Sequence, residues 1–90
     1  MARTNRWGVQ YRVPGQPGNA RRVVFLWPKG KEPAGIHRVV IVSDEVVVEE
    51  GEQRRVITAK AVRFAAGGAE TFLRRVTIPK SATDVEVIRL

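Results

Sequence analysis

Apolar and polar residues alternate one by one over residues 7–13, with Trp7, Val9, Tyr11 and Val13 on one side and Gly8, Gln10 and Arg12 on the other. A period of two over seven residues predicts a strand with one face buried. The turn formers Pro14, Gly15, Pro17, Gly18 and Asn19 then end it. Residues 21–27 (RRVVFLW) carry apolar side chains on both faces, which predicts a second, central strand. A loop rich in Pro, Gly and Lys follows. Residues 36–43 (IHRVVIVS) predict a third strand, Asp44-Glu45 a turn, and residues 46–48 a fourth strand that Gly51 ends.

Residues 54–66 (RRVITAKAVRFAA) fit two patterns. Val56, Val62 and Phe64 share one face of a strand, while Ile57, Ala61 and Phe64 share a helix stripe. The strand is favoured, because the flanking pattern is β and Gly67-Gly68 suits a hairpin turn into residues 69–78. A short helix over 69–76 is the alternative, and Pro79 stops either element. Ser81–Asp84 has the form of a helix capping box, but Val85, Val87 and the residues between them alternate, so a last strand is expected there. Six or seven short strands in one domain, residues 1–90, predict an all-β antiparallel sandwich or small barrel. Residues 1–6 are expected to form a basic N-terminal arm.

Composition supports this class. Fifteen valines and five isoleucines stand against three leucines, and β-branched side chains suit a pleated surface better than a helical core. There is no cysteine, which excludes disulfides, thiolate metal sites and thiol nucleophiles. The run Val23–Trp27 is far shorter than the roughly 20 residues of a membrane span. No apolar segment follows the early arginines as a signal peptide requires. A non-membrane protein is expected, cytoplasmic or carried in a virion.

The residues offer little catalytic chemistry. His37 is the only histidine, so neither His nor Cys can complete a metal site around it. Ser43 and Asp44 supply the letters of a triad with His37, but no nucleophile elbow surrounds the serine. The carboxylates Asp44, Glu45, Glu49, Glu50 and Glu52 flank three valines and a glycine, the pattern of a solvated hairpin tip; the valines also spoil the spacing of a calcium loop. The glycines match neither a P-loop nor a dinucleotide fingerprint. A protein without catalysis or cofactor is expected.

Charge changes the picture most. The chain carries a net +7. All of it belongs to residues 1–31, which hold seven basic groups and no acid, while residues 44–52 hold five acids and no base. Two function classes account for such polarity. In the first, the basic residues Arg3, Arg6, Arg12, Arg21 and Arg22 dock on acidic protein groups, with Glu49, Glu50 and Glu52 of another copy as candidate counterpart. The result would be a homo-oligomer or lattice, in general character like a small virion accessory or decoration subunit. In the second, a small barrel binds nucleic acid, its arginines on phosphates and Trp7 and Tyr11 stacked on bases. The alternation that places Trp7 and Tyr11 beside Val9 and Val13 argues for their burial instead. Their expected partners are Val23, Phe25 and Trp27.

Overall fold

The computed structural model describes residues 6–15 and 20–90. Six antiparallel strands form two three-stranded sheets: β1 (Trp7–Arg12), β2 (Arg21–Phe25), β3 (Ile36–Glu49), β4 (Glu52–Ala65), β5 (Gly68–Ile78) and β6 (Thr83–Arg89). One sheet has the order β2-β1-β6 and the other β3-β4-β5. The sheets stay separate, so the architecture is an open sandwich and not a closed barrel. No helix occurs among the described residues, and the ambiguous stretches 54–66 and 69–78 are both strands.

The alternation along β1 is used as its pattern requires. Val9 and Tyr11 are buried, and Trp7 and Val13 pack against the same cluster. The second sheet contributes Ile57, Ala59 and Ala61 from β4, with Val76 and Ile78 from β5. The two alanines leave room on β4 for the larger side chains of the facing layer. Trp27 closes one side, its ring edge-on to Phe72 at a centroid distance of 6.4 Å.

Strand β2 corrects two expectations. It is an edge strand, not a central one, and it ends at Phe25. Leu26 and Trp27 lie beyond it and are buried in the core. Val23 and Phe25 pair with Gln10 and Gly8, which places them on the outer face, away from Tyr11. The apolar residues on both sides of β2 arise because Val24 points to the core while Phe25 is covered from outside. The Arg6 guanidinium lies 3.7 Å from the Phe25 ring centre. Gly8 makes this face close-packed: a Cβ there would meet Val23 Cγ1 at 2.7 Å.

Strand β3 corrects a third. Asp44-Glu45 makes no turn, and residues 36–49 form one strand paired with β4 along its whole length. Irregularities between Ile36 and Arg38 and between Ile41 and Ser43 each add one residue, which re-aims the strand without ending it. The turn comes at Glu50-Gly51, both in the left-handed region (φ 50° and 79°) and flanked by the pair Glu49–Glu52. That is a two-residue type I′ hairpin. The β4–β5 turn falls at Ala66-Gly67, one residue before the Gly67-Gly68 expected.

The strands of the second sheet are much longer than those of the first. β5 ends where Ile78 pairs with Arg55. Beyond that level, residues 47–54 form a two-stranded ribbon with no third strand beside it. At about 3.4 Å per residue the ribbon projects on the order of 10 Å.

Candidate functional site

The ribbon carries the acidic residues that the sequence singles out. Glu49 and Glu52 sit opposite each other, and Arg54 reaches both, at 3.9 Å and 3.7 Å. Glu50 occupies the turn itself, exposed and with a positive φ. Pairing parity places Val46, at the root of the ribbon, and Val48, on it, on the core-side face of β3, yet they are 55% and 66% exposed because the core ends there.

Asp44 separates from the other acids. It shares the face of Val46 and receives two hydrogen bonds from Arg55, 2.8 Å from Nε and 2.7 Å from Nη2. The remaining Arg55 nitrogen donates to the carbonyls of Ala82 (2.7 Å) and Lys80 (3.3 Å), tying the β5–β6 loop to the root of the ribbon. Hydrogen bonding from Arg55 holds the Asp44 carboxyl below its ordinary value of 3.8, and Asp44 in turn raises Arg55. Ser43 pairs with Thr58 and His37 stacks on Phe64 several residues away, so these two and Asp44 do not converge. Among the described residues, no group of three or more His, Cys, Asp or Glu is placed to hold a metal ion.

The basic residues divide. Arg3 lies outside the described residues. Arg6 is held against the sandwich: its Nε is 3.2 Å from Glu32 Oε1, its guanidinium covers Phe25, and its carbonyl accepts from Leu90 N–H at 2.7 Å. Glu32 also accepts from Gly30 N–H at 3.0 Å. Its own backbone N–H first, then Arg6 and Gly30, keep its carboxyl below the ordinary 4.5. Arg12 and Arg21 pair directly across β1 and β2 on the outer face. Two like charges so placed repel. They line a shallow depression of about 380 Å³ together with Gln10, Asp84 and Glu86. Arg22 is exposed and pairs with Tyr11, on the opposite side of β2.

The outer face of β3-β4-β5 is a surface the sequence reading does not identify. Near the ribbon it forms an open depression of about 570 Å³ whose lining includes Glu45, Glu49, Arg54, Thr58 and Arg75. Toward the β4–β5 turn it becomes apolar and basic. Phe64 is 76% exposed and stacked on His37, with ring centres 4.4 Å apart and planes 15° from parallel. Leu73 is 65% exposed. Only the true register brings these residues together, and the two irregularities in β3 conceal that register in the sequence. Phe64 itself carried a signal: on a strand it shares a face with Val56 and Val62.

Compared with protein-family models, with curated proteins and with solved structures, the chain matches none.

Proposed function

We propose that this protein is a non-catalytic subunit that assembles with copies of itself through the projecting β3–β4 ribbon. The observation that carries this reading is the exposure of Val48 on the core-side face of the ribbon and of Val46 at its root. An isolated two-stranded ribbon is marginal in water, and apolar side chains exposed there gain by being covered. The acids at the tip indicate the sign of the partner surface. Arg12 and Arg21 of a second copy are its counterpart. Acidic groups placed between them add to Asp84 and Glu86, which line the same depression, in offsetting the repulsion of the two arginines.

Both patches lie toward the same end of the sandwich. Arg12 pairs with Thr83, and Arg55, at the root of the ribbon, bonds the neighbouring Ala82 carbonyl. Two copies related by a two-fold axis can therefore exchange ribbons reciprocally, which closes a dimer. Arg6 does not take part in the contact, since Glu32 already holds it. Exposed ion pairs contribute only about 0–1 kcal/mol each, so the valines supply the burial and the charges the register.

Light scattering on the purified protein tests this. Wild type is expected to show the mass of a dimer, and E49K/E50K/E52K that of a monomer. Adding R12E/R21E to the same chain restores the dimer. A wild type that stays monomeric at high concentration, or a reversal that restores nothing, rejects the reading.

A further inference from the structure

We infer that the outer face of β3-β4-β5, on its half nearest the β4–β5 turn, is a binding platform for single-stranded nucleic acid. Cross-strand register places Arg38 opposite Val62 and Thr71, Lys60 opposite Val40 and Leu73, and Arg75 opposite Thr58. The three cations therefore step diagonally across the sheet, one per strand, at spacings of about 7–8 Å. All three are exposed, and none makes a hydrogen bond or ion pair with the described residues. Arg6, Arg54, Arg55, Arg63 and Arg74, by contrast, are all engaged with protein oxygens.

Beside this diagonal lies the stacked pair His37 and Phe64. A phenyl ring exposed to this degree is costly to leave in water, and a nucleic-acid base has the flat apolar face that covers it. His37 backs the ring, so Phe64 is held before any ligand arrives. Rows of cations that track a phosphate backbone, beside aromatic rings that stack bases, are the two requirements for binding a single strand. A duplex hides its bases and cannot use the ring. Val40, Val62 and Leu73 fill the space between the cations with apolar surface, and Thr58 and Thr71 offer hydroxyls. The acids Glu45, Glu49 and Glu52 lie on the same face toward the ribbon, where Glu45 and Glu49 share a depression with Arg75; they repel phosphates and bound the platform at Arg75. Trp7 and Tyr11, the aromatic residues the sequence offers first for this role, are turned into the core.

The site is separate from the ribbon contact and is tested separately. The probes are fluorescein-labelled oligodeoxythymidine, oligouridine and a hairpin duplex, followed by anisotropy over a salt series. Wild type is expected to bind the single strands, deoxy, ribo or both, more tightly than the duplex. Phe64→Ala should weaken single-strand binding roughly five- to hundredfold, the usual range for loss of one stacking ring. R38Q/K60Q/R75Q should lower the slope of log affinity against log salt by about 2, since each neutralised phosphate on a single strand contributes about 0.7. K29Q/K31Q/K80Q loses the same charge from exposed lysines elsewhere and should change binding little. All these side chains are exposed, and circular dichroism confirms that each variant folds. The inference is overturned if wild type binds no single strand at low salt, if the duplex binds as well, or if the two triple variants lose affinity equally. The last result means that net charge alone is responsible. Should Phe64→Ala fail to fold, the comparison of the two triples decides.

Discussion

Tyr11 and Glu50 show at the scale of single residues how much the local pattern determines. Tyr11 is buried because strict alternation along β1 leaves it no other face, and the sequence alone supports that placement. Tyr11→Ala removes a large ring from the core and should destabilise the fold by about 3–5 kcal/mol in urea unfolding, as other aromatic truncations do. A loss below 1 kcal/mol would mean that the ring is not a core element. Glu50 breaks the local pattern. It holds a φ of 50° in a type I′ turn, where asparagine or glycine is at ease. A left-handed conformation costs an ordinary residue about 1–2 kcal/mol. Glu50→Asn should therefore raise stability by about 1 kcal/mol while weakening the dimer. That opposition is the signature of a charge kept for binding at the expense of the fold. If the melting temperature and the dimer both improve, Glu50 is an unfavourable turn residue with no binding role.

The elements show which physical information a sequence hides. The strand at 7–12 is legible because period-two patterning and turn residues agree; those at 52–65 and 68–78 also fit a helix stripe or a short helix, and only the β pattern around them and the Gly67-Gly68 turn signal favour strands. The turn expected at Asp44-Glu45 fails because Asp44 is satisfied within an extended strand: Arg55, eleven residues later, takes it across the ladder. Local turn propensity gives way to a pairing that register alone reveals. The central position expected of β2 fails for a similar reason. Two apolar faces can mean burial between neighbours, or a core face plus an outer patch covered by one arginine, here Arg6 over Phe25. The acidic tip was legible from composition. The Arg38–Lys60–Arg75 diagonal was not, because its members lie on three strands and the irregularities in β3 shift its register. The Asp44–Arg55 bond makes a prediction of its own. The folded-state value of Asp44 lies below the ordinary 3.8, so its contribution is complete above that pH and is lost as pH falls through the folded value. Asp44→Asn should cost about 1 kcal/mol or less at neutral pH, since the pair is partly exposed. It should also remove this component of the acid-induced loss of stability. Equal acid sensitivity in mutant and wild type would show that other carboxylates set it.

At the scale of the whole molecule, the two sheets differ in length, and the difference divides the chain into a sandwich that folds and a ribbon that extends from it. The sandwich is complete without the tip: every buried hydrophobic residue lies outside residues 47–54. Replacing residues 48–53 by Asn-Gly should test that division. The cut removes two rows of the ladder, so Val47 and Arg54 inherit the same type of pair that Glu49 and Glu52 form now, and every side chain keeps its face. Asn-Gly meets the turn geometry without the strain at Glu50. The Lys80–Gln53 hydrogen bond at 2.9 Å is lost, but it is exposed and contributes little. The shortened chain should melt within a few degrees of wild type, because no apolar core is removed. Light scattering should give a monomer, and oligodeoxythymidine binding should be kept or strengthened, since the cut removes the three tip glutamates Glu49, Glu50 and Glu52 and leaves Arg54 in place. An unfolded product would show that the ribbon belongs to the cooperative fold. A folded product that still dimerises would place the contact between copies elsewhere on the sandwich.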